Sequence, residues 1–269
     1  MKNLALRLVQ ALLLLLLALF ILGPLVWLSI HAFAGTWSGS AQLPQQWTLG
    51  SWKTVFSDPG LLDSMRLSFT FAPVVTAVSA IVCLPAAYAF ARFRFPGRQA
   101  LLVSLFAANA FPKIGLFVAL AGLFYALHIM GTFLGVVIVQ MLGTVVFMTW
   151  IPAAAFAGVH RSLEEAAHDV GASSLRVFFR ITLPLASPGI LVAMILSFLA
   201  SFDEAQGTYL VGAPTYLTMP TEMYTLVLNY PQGAAAVFAI LLSVPSVLLM
   251  LLVRKHVMGG YLAEGFQLR

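Results

Sequence analysis

Six stretches of this chain are each about as long as the apolar core of a bilayer is thick, and they contain almost no charged side chains. A helix needs about 20 apolar residues to cross that core. Charged residues make up only 9% of the chain, against roughly 25% in soluble domains, which excludes an ordinary soluble enzyme and a disordered chain. The stretches cover residues 8–30, 67–91, 100–130, 132–159, 189–211 and 234–253.

Backbone polar groups in lipid must bond to one another, so only helices and closed barrels cross a membrane. The chain lacks the ten-residue segments of alternating hydrophobicity that indicate barrel strands. We therefore predict an all-α membrane protein, with six transmembrane helices in a single domain over residues 1–269. The first stretch is longer than the roughly 7–15 apolar residues of a signal peptide, so we expect it to be a retained helix.

Basic residues are concentrated on one side of the predicted membrane. Cytoplasmic loops of membrane proteins carry an excess of Lys and Arg. Only Lys53 and Arg66 fall on the opposite side if the helices alternate in direction. We therefore predict a multi-pass protein of the bacterial inner membrane with both termini in the cytoplasm, and the net charge of +5 reflects topology rather than nucleic-acid binding. The residues on the cytoplasmic side are Lys2, Arg7, Arg92, Arg94, Arg98, Arg161, Arg176, Arg180, Arg254 and Lys255.

The loop between the fourth and fifth predicted helices is long and polar, and its pattern favours a helix on the cytoplasmic side. Ser162 and Glu165 have the spacing of a capping box. Gly171 is expected to end this helix, because glycine readily takes the left-handed conformation found after helix C-termini. From this pattern alone, a docking element and a solvated interfacial helix remain equally good interpretations.

The same loop also contains the elements of the EAA motif at their expected spacing: Glu165-Ala166-Ala167, Gly171, Ile181 and Leu183-Pro184. The chain therefore resembles the permease subunits of type I ABC importers, and the resemblance includes residues 86–98. In that family the EAA region forms a coupling helix that sits in a groove of the ATPase subunit. The resemblance implies a coupling region over residues 162–188, with contacts to the ATPase from Glu164, Glu165, Ala166, Ala167, Asp169, Gly171, Ala172 and Leu175.

The same resemblance implies the partners of this chain. They are two ATPase subunits, a second permease subunit, a periplasmic or lipid-anchored solute-binding protein, and the membrane lipid itself. The chain has no G-x-x-x-x-G-K-[ST] phosphate-binding motif, so we expect it not to be an enzyme and ATP hydrolysis to occur on the partner subunits. We expect no cofactor and no metal site.

Three charged residues fall within the predicted membrane segments. Lys113 and Asp203 each lie about 21 Å along their predicted helices from the cytoplasmic end, and Glu204 follows Asp203. Charges at this depth are costly and often functional. Two interpretations remain open, a structural ion pair and a lining of the translocation pathway. Pro112 beside Lys113 predicts a kinked or broken third helix.

The class of solute is predicted from a narrower resemblance. Residues 201–204, 210–214 and 219–220 are similar to the polyamine, phosphonate, ferric-iron and thiamine branch of these permeases. A sugar-type ABC permease and a secondary transporter are the alternatives, and a secondary transporter would need internal repeats that the sequence does not show. A membrane scaffold without transport is a third possibility.

Overall fold

The computed structural model describes residues 2–37, 41–107 and 111–256. Within those ranges the regular structure is helical, apart from one isolated β-bridge between Ala34 and Trp47. Twelve α-helices are found there, and a π turn at Phe178–Thr182 joins the eighth to the ninth. They are α1 Lys2–Phe33, α2 Gly50–Ser57, α3 Pro59–Arg92, α4 Arg98–Ala107, α5 Lys113–Ala126, α6 Phe133–Gly158, α7 Arg161–Asp169, α8 Ser174–Val177, α9 Leu183–Phe202, α10 Gln206–Gly212, α11 Met219–Asn229 and α12 Gln232–His256.

Five helical segments in the described ranges are long and apolar enough to cross a membrane. The predicted third span is instead divided into the shorter apolar helices α4 and α5. Pro112 occupies the N-cap position of α5, so the expected break beside Lys113 is confirmed, although residues 108–110 lie outside the described ranges. The five long segments are Val9–Phe33, Pro59–Arg92, Phe133–Gly158, Ser174–Phe202 and Gln232–Leu252.

The fifth predicted helix is placed differently by the structure. We predicted residues 189–211, whereas the helical segment runs from Ser174 to Phe202 and a separate helix, α10, follows. Prolines usually interrupt helices. Pro184 and Pro188 nevertheless lie inside this segment. The π turn directly before α9 changes the backbone hydrogen bonding in the turn that the ring of Pro184 would otherwise meet.

Residue contacts divide the chain into two compact units. The larger unit is Ser64–Thr221 with Ser246–Arg269, and its centre is the long contact between α6 and α9. At Gly189 this contact is so close that an added Cβ would lie 2.6 Å from the Cβ of Ala155. Only glycine therefore fits at this position without a shift of one helix.

The contact between α3, α6 and α9 is apolar near the end that bears the α7 loop. One buried cluster contains Ala87 of α3, Phe156 of α6, and Ala186 and Ile190 of α9. A second contains Cys83 with Met148 and Ala193, so the single cysteine is a buried thiol as its apolar surroundings in the sequence suggest.

Further along the same helices, buried polar side chains bond to one another. The hydroxyls of Ser79 on α3 and Thr144 on α6 lie 2.6 Å apart. Ser201 donates to Oε1 of Gln140 at 2.7 Å, and the Gln140 amide donates to Thr208 of α10 at 2.9 Å. These bonds satisfy polar groups that would otherwise be costly within the apolar bundle.

The smaller unit is Met1–Asp63 with Glu222–Pro245. Asp58 caps α3, because its Oδ1 accepts from the backbone N–H groups of Gly60 and Leu61 at 2.9 and 3.2 Å. Its Oδ2 accepts from the Tyr230 hydroxyl at 2.6 Å. The loop tryptophans pack on aromatic rings: Trp37 stacks on His31, and Trp52 lies beside Phe33 and Phe56.

Candidate coupling site

The polar loop forms the short helix α7, and Gly171 ends it as predicted. Gly171 has a φ of +84°. Its N–H donates to the carbonyl of His168 at 2.8 Å, and the N–H of Ala172 donates to that of Ala167 at 3.0 Å. This pair of bonds is the Schellman motif, which requires a left-handed residue after the helix.

The predicted capping box is wrong. The helix begins at Arg161, one residue before Ser162, and His160 occupies the N-cap position without a side-chain capping bond. The side chain of Glu165 is exposed instead of reaching back to the first turn. The acidic residue with partners in this helix is its neighbour, Glu164.

Glu164 forms a largely buried ion pair with Arg92, the last residue of α3. Their side chains are 13% and 7% exposed, and Nη2 of Arg92 lies 2.8 Å from Oε1 of Glu164. The same nitrogen donates to the carbonyl of Val159, directly after α6, at 3.0 Å. Among the side chains that the structure describes, this is the one ion pair.

Two more hydrogen bonds extend this contact. Thr182, at the end of the π turn, donates its hydroxyl to Oε1 of Glu164 at 2.5 Å. The guanidinium of Arg161 donates to the carbonyl of Arg92 at 3.0 Å. One carboxylate and one guanidinium therefore connect α7 to the end of α3, the end of α6 and the start of α9.

The rest of the loop exposes a surface of small, apolar and acidic residues. Val170 is 85% exposed and Leu175 is 72% exposed, although both side chains are apolar. The other exposed members are Glu165, Ala166, Asp169 and Gly171, while Ala167 and Ala172 are half-buried. We call these eight residues the loop surface.

Phe178 and Phe179 lie side by side in the sequence but differ in surroundings. Phe178 packs on Tyr88 and Phe156, whereas Phe179 is 61% exposed. One ring therefore anchors the loop to the bundle and the other remains at the surface.

The three charged residues predicted at membrane depth do not form an ion pair. Lys113 is exposed in the first turn of α5, and Asp203 is the exposed C-cap residue of α9. Glu204 accepts from the N–H groups of Gly207 and Thr208, each at 2.7 Å, and from the Thr208 hydroxyl at 2.6 Å. Because α9 ends at Phe202, Glu204 lies outside that helix and its carboxylate caps the first turn of α10.

A comparison with protein families decides which class of membrane protein this is. The model described as "Binding-protein-dependent transport system inner membrane component" matches residues 83–257, which include α7 and the loop surface. The match covers well over half of the chain. The chain belongs to this family of type I ABC importer permeases.

Relatives of this permease are named for the transport of sugars. The maltodextrin transport system permease protein MdxG of Bacillus subtilis is 28% identical over 256 residues, which cover 93% of this chain and 92% of that protein. The maltose/maltodextrin transport system permease protein MalG of Salmonella typhimurium is 33% identical over 219 residues, covering 76% of this chain and 71% of that protein.

Solved structures share the fold of this permease. A bacterial ABC transporter involved in the import of the acidic polysaccharide alginate matches with a TM-score of 0.74 at 18% identity, covering 94% of this chain and 97% of that one. The alginate transporter in complex with a pentasaccharide-bound periplasmic protein matches with a TM-score of 0.66 at 17% identity and covers 92% of each chain.

These comparisons confirm the predicted class of permease but not its predicted branch. The relatives are sugar permeases, which fits the alternative of a sugar-type permease better than the polyamine, phosphonate, iron and thiamine branch. Of the two acidic residues that suggested a cationic solute, Glu204 has another role in the structure, since its carboxylate caps the first turn of α10. Sequence analysis also missed the ion-pair partner of Glu164, although Arg92 lies within the stretch that resembled the family.

Proposed function

We propose that this chain is one permease subunit of an ATP-driven importer that moves a carbohydrate into the cytoplasm. The observation that carries the proposal is its similarity, over 93% of its length, to a permease named for maltodextrin transport. In the proposed importer two ATPase subunits hydrolyse ATP, a second permease completes the membrane domain, and a solute-binding protein delivers the sugar. The six-span topology and the cytoplasmic location of both termini are part of this proposal.

The loop surface is the proposed docking site for an ATPase subunit. Its exposed apolar side chains would be stabilised by burial against a partner, at about 25 cal/mol for each Å² covered. An added Cβ at Gly171 would meet nothing within 4 Å, so another protein has room to approach this turn closely. The ion pair of Glu164 leaves that residue facing the bundle, and its proposed role is to support the loop surface from behind.

Replacing Gly171 by Trp tests the docking site. We expect Gly171→Trp to lower co-purification of the ATPase and uptake together, because the indole would stand where the partner approaches. Gly97→Trp is the matched control, since Gly97 has a φ of +82° and also has nothing within 4 Å of an added Cβ. It introduces the same backbone strain in the turn before α4. Normal ATPase binding by Gly171→Trp, or equal losses in both variants, would contradict the docking site.

Lys113 and Asp203 are proposed to line the translocation pathway. Both side chains are exposed in the structure and neither has an ion-pair partner among the described residues, so each could meet a polar solute. Glu204 is proposed to contribute indirectly, by fixing the start of α10 beside Asp203. We expect Lys113→Met and Asp203→Asn to reduce uptake while assembly with the ATPase stays normal. Reduced assembly in both variants would favour a structural role instead.

Uptake in proteoliposomes tests the class of solute. We expect radiolabelled maltose or maltotriose to be accumulated when ATP and the solute-binding protein are present, and spermidine not to be. Accumulation of spermidine alone would restore the polyamine branch. Uptake driven by an ion gradient without ATP would instead indicate a secondary transporter.

A further inference from the structure

The ion pair between Arg92 and Glu164 connects four helical elements through two side chains. Arg92 ends α3 and donates to the carbonyl at the end of α6 as well as to Glu164 of α7. Glu164 also accepts from Thr182, which directly precedes α9. Arg161 of α7 donates back to the Arg92 carbonyl. Helix α7 therefore both accepts a hydrogen bond from Arg92 and donates one to it. We call Arg92, Arg161, Glu164 and Thr182 the brace.

Stability alone is a poor explanation for such a pair. Burying two charges carries a desolvation cost that often cancels their attraction, so a buried ion pair is weak support for stability. Apolar packing already anchors the same region, because Phe178 lies against Tyr88 and Phe156. What the charges add is a fixed orientation of α7, since a guanidinium bonds only along particular directions.

We propose that Arg92 is a positioning residue which makes α7 and the adjoining ends of α3, α6 and α9 move as one body. The inference rests on the proposed function, because the movement of α7 would come from the docked ATPase. Without the brace, α7 could turn about its ends at His160 and Gly171 while the membrane helices stayed in place. ATP would then be hydrolysed without the corresponding movement of the pathway.

Distances between two spin labels measure this coupling without knowledge of the solute. Ile81 of α3 and Ser162 of α7 are exposed, so both can be changed to Cys and labelled. Cys83 is replaced by Ala in the same chain, which leaves no other cysteine. The labelled permease is assembled with its ATPase and second permease in nanodiscs and measured with and without ATP.

In the chain with an intact brace, we expect the same narrow distance distribution in both states. The double variant Arg92→Met with Glu164→Gln removes both charges together, so it leaves no unpaired charge and is expected to assemble. In this variant we expect the distribution to shift or broaden when ATP binds. We also expect maltose uptake per ATP hydrolysed to fall about tenfold, within the usual range of coupling free energies.

Single variants separate positioning from folding. Arg92→Met alone leaves the largely buried carboxylate of Glu164 without its ion-pair partner. This variant is therefore expected to yield less assembled complex than the double variant. A purely structural brace predicts that the double variant recovers uptake along with the amount of complex. That recovery would overturn the proposal, as would a change of the label distance with ATP in the intact chain.

The outcomes also distinguish this inference from the proposed function. If the ATPase does not assemble with the unchanged permease, the proposed function fails and the brace has no source of movement. If the ATPase assembles and Gly171→Trp disrupts it, but the double variant moves and transports normally, only the brace proposal fails.

Discussion

Asp58 shows how much one side chain can determine in this chain. Its carboxylate accepts from two backbone N–H groups at the start of α3 and from the hydroxyl of Tyr230. The hydrogen bond from Tyr230 is the main reason that the pKa of Asp58 lies below its ordinary value, and the bonds from Leu61 and Gly60 act in the same direction. The same bond raises the pKa of Tyr230.

Replacing Asp58 should separate its two roles. Asp58→Ala removes the cap and the bond from Tyr230, and we expect a loss of about 1–2 kcal/mol in the free energy of unfolding. Tyr230→Phe removes only the hydroxyl and should cost about 1 kcal/mol or less. Thermal unfolding of the two purified variants and the parent chain in detergent measures this order. A larger loss for Tyr230→Phe would contradict it.

The lowered pKa of Asp58 also predicts a pH dependence. A carboxyl group whose pKa is depressed by folding stabilises the folded state above its unfolded pKa, which is about 3.9 for an aspartate. That contribution is lost as the pH falls through the folded value. The difference in thermal stability between the parent chain and Asp58→Asn should therefore be constant near neutral pH and shrink below about pH 4. If the stability difference grows on acidification instead, folding raises the pKa of Asp58 rather than lowering it.

At the scale of helices, the contact between α6 and α9 depends on a glycine facing an alanine. Gly189→Ala would place two Cβ atoms 2.6 Å apart. We expect a loss of about 1–3 kcal/mol from overpacking, partly offset by the roughly 1 kcal/mol that alanine gains within a helix. Adding Ala155→Gly should restore most of the stability, because the methyl group then stands on the other helix.

Gly122→Ala in α5 is the matched control, since its added Cβ would meet nothing within 4 Å. It should be neutral or slightly stabilising when thermal unfolding is measured. If Gly189→Ala behaves like this control, the two helices are farther apart than the structure places them.

The helices that sequence analysis predicted well are those whose apolar runs contain no break. The predicted span 132–159 corresponds closely to α6, since Thr132 caps this helix by accepting from Gly135. Helix α3 begins at Pro59, earlier than the predicted residue 67. The prediction left out its first turns because they contain Asp63 and Arg66, whose charges lower the hydropathy there. The start depends on the Asp58 cap, a local bond that an apolar pattern does not reveal.

The candidate site was predictable only in part for a similar reason. Gly171 could be placed at a helix end because its conformational freedom is local. The partner of Glu164 is 72 residues away in the chain, and nothing in local spacing points to such a contact. An ion pair between Lys113 and Asp203 was one of two interpretations left open, and their similar depth assumed a continuous third helix and a fifth helix that begins at residue 189. The structure instead begins α5 at Lys113 and the fifth helical segment at Ser174.

At the scale of the whole molecule, the proposed topology makes a direct prediction. In the Cys83→Ala chain, Gly50→Cys should react with a membrane-impermeant maleimide from outside intact cells. Ser162→Cys and a tag at Arg269 should be accessible only after the membrane is opened. The positive residues of the loops that are proposed to be cytoplasmic give the reason for this orientation. Labelling from the opposite sides would reject the six-span topology.

The π turn at Phe178–Thr182 makes the packing of α9 depend on the exact number of residues between α7 and this helix. A π turn contains one residue more than the α-helical turn it replaces. Deleting one residue there would restore an ordinary helix and rotate everything after it by about 100° relative to the loop. Gly189 and Ser201 would then face away from α6, and the Thr182 hydroxyl would leave Glu164. A single-codon deletion in this short segment should thus be as damaging as the loss of a core residue, although two of its five side chains are exposed.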